Sequence, residues 1–153
     1  MGLSVRHVVD APLERVWTHL ARLDDHVTWM RDAKEITFVG EQRHGVGTVF
    51  TCVTQVGPLR TRDVMTVTDW REGVEIGVAH RGAVRGLGAF TLRALSPETT
   101  EITWRETLIF PWWFAGGVGE YLSRPLFRWL WRSNLRAFAA RVAGELARDT
   151  FDE

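Results

Sequence analysis

The sequence predicts an α+β fold, a helix-gripping arrangement in which a curved, seven-stranded antiparallel sheet wraps around one long C-terminal helix. Three observations predict it. Between Glu35 and Phe110 apolar residues recur with a period of two, broken by turn residues at short intervals. The last third switches to a helical period and holds it for about eight turns. A single strand and two short helices after strand 1 precede the meander, and only the final helix is long enough to cover a sheet of that length.

The elements follow in order. Residues 3–9 alternate, with Leu3, Val5, His7 and Val9 on one face and Ser4, Arg6 and Val8 on the other, which reads as a strand. Asp10 is the expected N-cap of the next helix, and Pro12 suits its first turn because its missing N–H would be unbonded there anyway. That helix carries Leu13, Val16, Trp17 and Leu20 as an apolar stripe. Leu23 to Trp29 reads as a second short helix. Six strands follow, at 34–40, 46–56, 59–70, 73–81, 86–95 and 100–110, and connections this short make a meander of antiparallel neighbours. Residues 120–147 then form one helix, in which Phe127, Trp131, Leu135, Phe138, Val142 and Leu146 share a face and Arg128, Arg132, Arg136 and Arg148 suit the other. Pro125 is its weak point, since an interior proline costs about 3 kcal/mol or marks a true start just before it.

At 153 residues the chain suits one domain, 1–153. Nineteen basic and nineteen acidic side chains balance, which removes the electrostatic footprint of a nucleic-acid binder. Eight tryptophans against one tyrosine point to a heavily aromatic core or to a cavity lined by rings. Cys52 is the one cysteine, so no intrachain disulfide and no four-cysteine zinc site can form. His19, His26 and His44 lack metal-ligand spacing, so neither metal nor cofactor is expected. The first residues carry no signal-peptide pattern, and no run of ~18 apolar residues is available to span a membrane. A cytoplasmic location is the expectation.

Several segments resemble one family. Val9-Asp10-Ala11-Pro12-Leu13-Glu14-Arg15-Val16-Trp17 resembles the opening of the START-like (SRPBCC) superfamily in its polyketide cyclase/dehydrase branch. His26-Val27-Thr28-Trp29-Met30 is similar to the region that follows there, with one aromatic replaced, and Gly45-Val46-Gly47-Thr48 to the loop before the third strand. Thr99-Thr100-Glu101-Ile102-Thr103-Trp104 resembles a later strand start, with Thr99 in place of glycine. The resemblance runs the length of the chain, in order. It implies a helix-grip fold with an internal cavity for hydrophobic small molecules such as lipids, polyketides, sterols or isoprenoids. It carries over no catalytic signature, and the Rieske-type ligands of some oxygenase relatives are absent.

Registering the strands from their turns gives a map of the concave face. A turn at Gly57-Pro58 pairs Val56 with Leu59, Cys52 with Asp63 and Phe50 with Met65. Continuing outward, Met65 faces Val78, Asp63 faces His80, His80 faces Gly88, Phe90 faces Glu106 and Leu92 faces Trp104. One face then collects Phe50, Met65, Val67, Ile76, Val78, Phe90, Leu92, Ile102, Trp104 and Leu108; the other collects Arg60, Arg62, Arg93, Arg105 and threonines. Asp63, His80, Glu106 and His7 are the polar groups on the apolar face. In this register Asp63 and His80 are directly opposed, while Glu106 lies about 10 Å from His80, beyond a direct bond.

The expected ligand contacts are Phe50, Met65, Val78, His80, Phe90, Trp104 and Glu106 from the sheet, with Trp113, Phe127 and Trp131 from the C-terminal part. Two readings stand for the polar groups. An inward Asp–His pair is often a structural ion pair; the same pair could supply acid–base catalysis, with His80 as acid or base, Asp63 orienting it and Glu106 polarising a substrate. Cys52 reads as a small core residue rather than a nucleophile. The segment Trp112-Trp113-Phe114 is an apolar lip over the pocket, a dip into a bilayer interface, or packing under the long helix.

Three functions follow from this reading. The first is a carrier or sequestering protein for a hydrophobic small molecule. The second is a cofactor-independent cyclase, aromatase or dehydratase. The third is a regulatory or dimeric interaction module that meets its partner, or a second copy, through the Trp112–Phe114 segment.

Overall fold

The computed structural model describes residues 1–114 and 116–151, without the side chains at 114 and 116. Strand β1 (Gly2–Val9) leads into helix α1 (Leu13–Leu20) and a 3₁₀ segment (Leu23–Thr28). Six strands follow: β2 (Ala33–Val39), β3 (Val49–Val56), β4 (Leu59–Arg71), β5 (Glu75–Arg81), β6 (Arg85–Ser96) and β7 (Thr99–Ile109). A short 3₁₀ turn (Trp112–Phe114) then precedes helix α2 (Gly116–Phe151). The strands form one antiparallel sheet ordered β1-β7-β6-β5-β4-β3-β2, the expected meander with β1 added beside β7.

Local chemistry accounts for most element limits. The cap of α1 is Pro12 rather than Asp10: the Pro12 carbonyl accepts from the N–H groups of Arg15 and Val16 at 3.0 and 3.1 Å, and no side chain caps the helix. Proline holds the extended φ of −60° that a cap needs and has no N–H to leave unbonded. Strand β3 starts three residues later than its pattern suggests, because Gly45 and Gly47 adopt φ of +84° and +90° and turn the chain there. Helix α2 is longer at both ends than expected and contains Pro125. Both Pro125 and Tyr121, whose carbonyl loses its usual partner, lie on the exposed side, where water can replace the lost bond.

The β3–β4 register is the expected one, with Val56 opposite Leu59, Cys52 opposite Asp63 and Phe50 opposite Met65. Beyond it each hairpin slips by two residues. Met65 pairs with His80 and Val67 with Val78, because the β4–β5 turn is three residues long, with Gly73 at φ +71°, and a bulge follows between Val67 and Asp69. The next hairpins are tighter than expected, so His80 faces Gly86, Gly88 faces Glu106 and Phe90 faces Trp104. Asp63 and His80 are therefore not directly opposed. A slip of two keeps every side chain on its face, whereas a slip of one would have inverted them. Phe50, Val67, Ile76, Phe90, Leu92, Ile102, Trp104 and Leu108 are accordingly all buried, and Arg60, Arg62, Arg93 and Arg105 are exposed.

The buried side of α2 closes the core. Phe127, Leu130, Trp131, Leu135, Phe138 and Val142 face the sheet. Trp131 stacks on Trp104 at 5.0 Å between centroids, and Phe127 stacks on Phe110 at 5.5 Å. Trp29 packs on Phe138 at 5.0 Å and reaches Phe90 at 6.0 Å. Each such pair adds about 0.5–1.5 kcal/mol beyond simple burial, so this aromatic column clamps helix to sheet. Trp17, Trp29, Trp104 and Trp131 are core residues, whereas Trp112, Trp113 and Trp129 are exposed.

Candidate functional site

Between the concave face and α2 lies a cavity of about 130 Å³. Phe50, Met65, Val78, Phe90 and Trp104 form its sheet wall, Phe127 and Trp131 its helix wall, and His80, Glu106 and Asp63 are among its polar residues. Trp113 is not on the wall; it is half exposed at the surface. Phe114, the last ring of that segment, has its side chain outside the described residues.

Glu106 and His80 meet, contrary to the separation expected from the sequence. Glu106 projects across Gly88, its partner on β6, where a β-carbon would stand 2.6 Å from the carboxylate. The missing side chain lets the carboxylate cross to β5, and Glu106 Oε2 comes within 3.2 Å of His80 Nε2. Trp104 donates its indole N–H to Glu106 Oε1 at 2.9 Å and so fixes the carboxylate. His80 Nε2 and Glu106 Oε2 are close enough to attract but are not aligned as donor and acceptor. Both are buried without a hydrogen-bond partner among the described residues. An unsatisfied buried polar atom costs about 1–3 kcal/mol, and here two such atoms sit side by side on the wall of an apolar cavity.

Asp63 behaves differently. Its Oδ2 accepts from the Thr61 hydroxyl at 2.9 Å and its Oδ1 from the Val84 N–H at 3.2 Å. It ties down the β5–β6 turn, tucked against Gly82, and holds no free oxygen for His80. The expected Asp63–His80 pair is thus replaced by Glu106–His80, with Asp63 as a turn brace.

Two further polar wall residues were not singled out from the sequence. Asp32, just before β2, accepts from Asn134 Nδ2 at 2.7 Å, and Asn134 Oδ1 accepts from the Arg31 N–H at 3.0 Å. Burial, with a contribution from the Glu106 charge, holds the Asp32 carboxyl above its ordinary range despite the Asn134 bond. The signal was Asn134 itself, a fully buried amide seven residues after Phe127 on the apolar stripe of α2. The second residue is His26. Its Nε2 lies 2.8 Å from the Leu20 carbonyl, which can only accept, so this nitrogen carries the proton. Burial lowers its pKa to about 4, so the ring is neutral at pH 7. Burial pushes the Cys52 thiol up to about 11, which leaves it protonated and inert.

The sequence matches the family described as polyketide cyclase / dehydrase and lipid transport over residues 2–147. The chain belongs to that family. Among curated proteins, none matches it significantly. A crystal structure of a protein from Thermus thermophilus is similar at a TM-score of 0.82 and 18% identity, over 95% of this chain and 99% of that one. The Zhui aromatase/cyclase from Streptomyces sp. R1128 aligns at a TM-score of 0.68 and 18% identity, over 98% of this chain and 95% of that one. The di-domain aromatase/cyclase StfQ of the steffimycin biosynthetic pathway aligns at 0.74 and 13% identity, over 95% of this chain and 51% of that one. At these identities the structural likenesses establish the fold, a helix-grip fold as the sequence resemblance implied.

Membership in the polyketide cyclase / dehydrase and lipid transport family supports, at family level, hydrophobic ligand binding or a cyclase role. Among the described residues, no helix is long and apolar enough to cross a membrane.

Proposed function

We propose that this protein binds a hydrophobic small molecule carrying one hydroxyl or carbonyl group, as a carrier or sequestering protein. The observation that carries this reading is the pair of unpartnered buried atoms, His80 Nε2 and Glu106 Oε2, on an otherwise apolar wall. A ligand hydroxyl set in the cavity against both atoms donates to the carboxylate and accepts from an imidazole N–H, and so satisfies both at once. Phe50, Met65, Val78, Phe90, Trp104, Phe127 and Trp131 supply the apolar contacts. A cavity of about 130 Å³ is close in size to one that holds a single benzene ring, so a multi-ring or long-chain ligand requires the helix and sheet to part.

Native mass spectrometry of the purified protein, followed by solvent extraction and identification of bound molecules, tests the proposal. A discrete apolar mass bearing an oxygen function, displaced by an apolar dye, is expected. A clean apo mass together with no dye response overturns it.

A second reading is favoured by the same pair. A carboxylate within 3.2 Å of an imidazole, with the Asp32 carboxyl, raised by burial, lining the same cavity, brings candidate acid–base groups together in one buried site. On this reading the chain is a cofactor-independent cyclase, aromatase or dehydratase in which His80 moves the proton and the neighbouring Glu106 carboxylate balances the charge the ring gains. His80→Ala then abolishes turnover while dye binding stays within a few-fold; unchanged turnover removes the reading.

A further inference from the structure

We propose that the first half of α2, together with the exposed Trp112–Trp113 turn before it, is a docking surface for an anionic lipid bilayer. The observation is a helix face that serves no core. Val118, Leu122, Leu126 and Trp129 follow one another at steps of 4, 4 and 3 along one side of α2, and are 68%, 70%, 48% and 51% exposed. At 100° per residue this row lies opposite the side that buries Trp131 and Phe138. Trp112 and Trp113 add two exposed rings where the chain enters the helix.

Charge identifies the occupant. Arg128, Arg132 and Arg136 run beside the apolar row at four-residue steps and are exposed. From Tyr121 to Gly144 the helix holds five arginines and no aspartate or glutamate, in a chain whose total charge is zero. Arg31 adds a further cation over the Trp129 ring at 5.9 Å. An apolar row rich in tryptophan and leucine, flanked by arginine, suits a helix lying in the interface of an anionic membrane. A second copy is disfavoured, because a two-fold interface would bring the same arginines face to face. A protein partner needs a groove matched to each ring, whereas a bilayer interface accepts tryptophan and aliphatic side chains at any register.

The location gives the surface a use. Phe127, next to Leu126, is on the cavity wall, as is Phe110 just before the tryptophans. A bilayer on the far side of the helix meets the cavity's surroundings only at the Trp112–Trp113 end, and ligand loads or leaves at that end; that use rests on the binding role proposed above, while docking itself does not.

Co-sedimentation of the full chain with vesicles tests the inference. Binding to phosphatidylcholine vesicles containing phosphatidylserine is expected to exceed binding to phosphatidylcholine alone by at least about tenfold, and to weaken as salt rises. Arg128→Gln with Arg132→Gln lowers it about thirtyfold, and Leu122→Ser with Leu126→Ser abolishes it, while circular dichroism stays native because all four side chains are exposed. No binding to the anionic vesicles, or binding unchanged by both pairs, overturns the proposal. So does a concentration-dependent dimer, or retention of an acidic protein without vesicle binding, that the same substitutions abolish. Dye binding in the cavity is measured on the same samples: its retention without vesicle binding sinks the docking surface alone, and its absence with vesicle binding intact sinks the ligand-binding reading alone.

Discussion

Two carboxylates are buried under the concave face, each against a glycine, yet their surroundings assign them different work. Asp63 sits against Gly82 at the β5–β6 turn, and both of its oxygens accept hydrogen bonds from the protein. Glu106 sits across Gly88 in mid-sheet, where one oxygen is held by Trp104 and the other faces His80 unbonded. A carboxylate with both oxygens hydrogen-bonded within the protein stabilises the fold. One that is fixed at one oxygen and open at the other is prepared for something that enters the cavity. The satisfaction of each oxygen, more than burial or charge, separates the brace from the ligand site.

The largest effect expected from this rule concerns a third polar wall residue, His26, whose Nε2–H is committed to the Leu20 carbonyl. Its pKa is lowered from 6.5 to about 4 by burial. The unfolded chain therefore binds a proton near pH 6.5 that the folded chain refuses until about pH 4, so stability falls as pH falls through that window and levels off below it. The loss amounts to about 3 kcal/mol over the window. Chemical denaturation of the wild type and His26→Gln at pH 7 and pH 4.5 measures it: the variant loses this slope. An equal slope in both proteins would show that His26 is not held neutral by the fold, and the rule would fail at its simplest case.

The glycines provide the next test. A methyl group at Gly82 would collide with Asp63 Oδ1 and approach the Asp63 Cα at 3.1 Å, so backbone must move; one at Gly88 meets only the flexible end of Glu106. Gly82→Ala is expected to destabilise by about 2 kcal/mol, within the usual range for overpacking, with dye binding retained once the protein is folded. Gly88→Ala is expected to cost about 1 kcal/mol, because the flexible carboxylate turns aside but loses its Trp104 bond, and to displace Glu106 from His80, and so to lower affinity for a hydroxyl-bearing ligand. Thermal melts and dye titrations on both variants decide it. Equal losses of stability would mean the two sites are built alike.

The same two sites mark what could be read in the sequence. Period-two alternation and Gly-Pro punctuation were enough for the order of the six meander strands and for which side chains face inward, since every register error was by two and preserved the faces, whereas the place of β1 beside β7 was not read. What escaped was position along the strands. A three-residue turn and a one-residue bulge at Val67/Asp69 leave no compositional trace, yet they moved His80 from Asp63 to Met65. The Glu106–His80 contact escaped for another reason: strand spacing alone gives about 10 Å, and only the empty space over Gly88 lets a long carboxylate cross it. Asp32 was missed because its partner Asn134, the one hint in the sequence, lies about 100 residues on in the chain, on a helix whose phase against β2 no periodicity fixes.

The smallest change in stability goes with the sharpest contrast in function. Asp63→Asn keeps the shape but replaces one acceptor oxygen by an NH₂ group, which then faces either the Thr61 hydroxyl or the Val84 N–H. The hydroxyl can rotate to accept, so about 1 kcal/mol of stability is lost and ligand affinity stays within about twofold. Glu106→Gln also keeps the shape, and its amide oxygen can still accept from the Trp104 indole, so stability changes by about 1 kcal/mol or less. Its NH₂ group, however, turns toward His80 and can no longer accept from a ligand hydroxyl. Affinity for a hydroxyl-bearing ligand is therefore expected to fall about tenfold, the equivalent of one charge-assisted hydrogen bond at about 1.4 kcal/mol, while a hydrocarbon dye of similar size binds as before. If both variants weaken the hydroxyl ligand equally, the open oxygen of Glu106 is not what the ligand meets. If neither does, the cavity selects by shape alone, and the His80–Glu106 pair serves the protein rather than its guest.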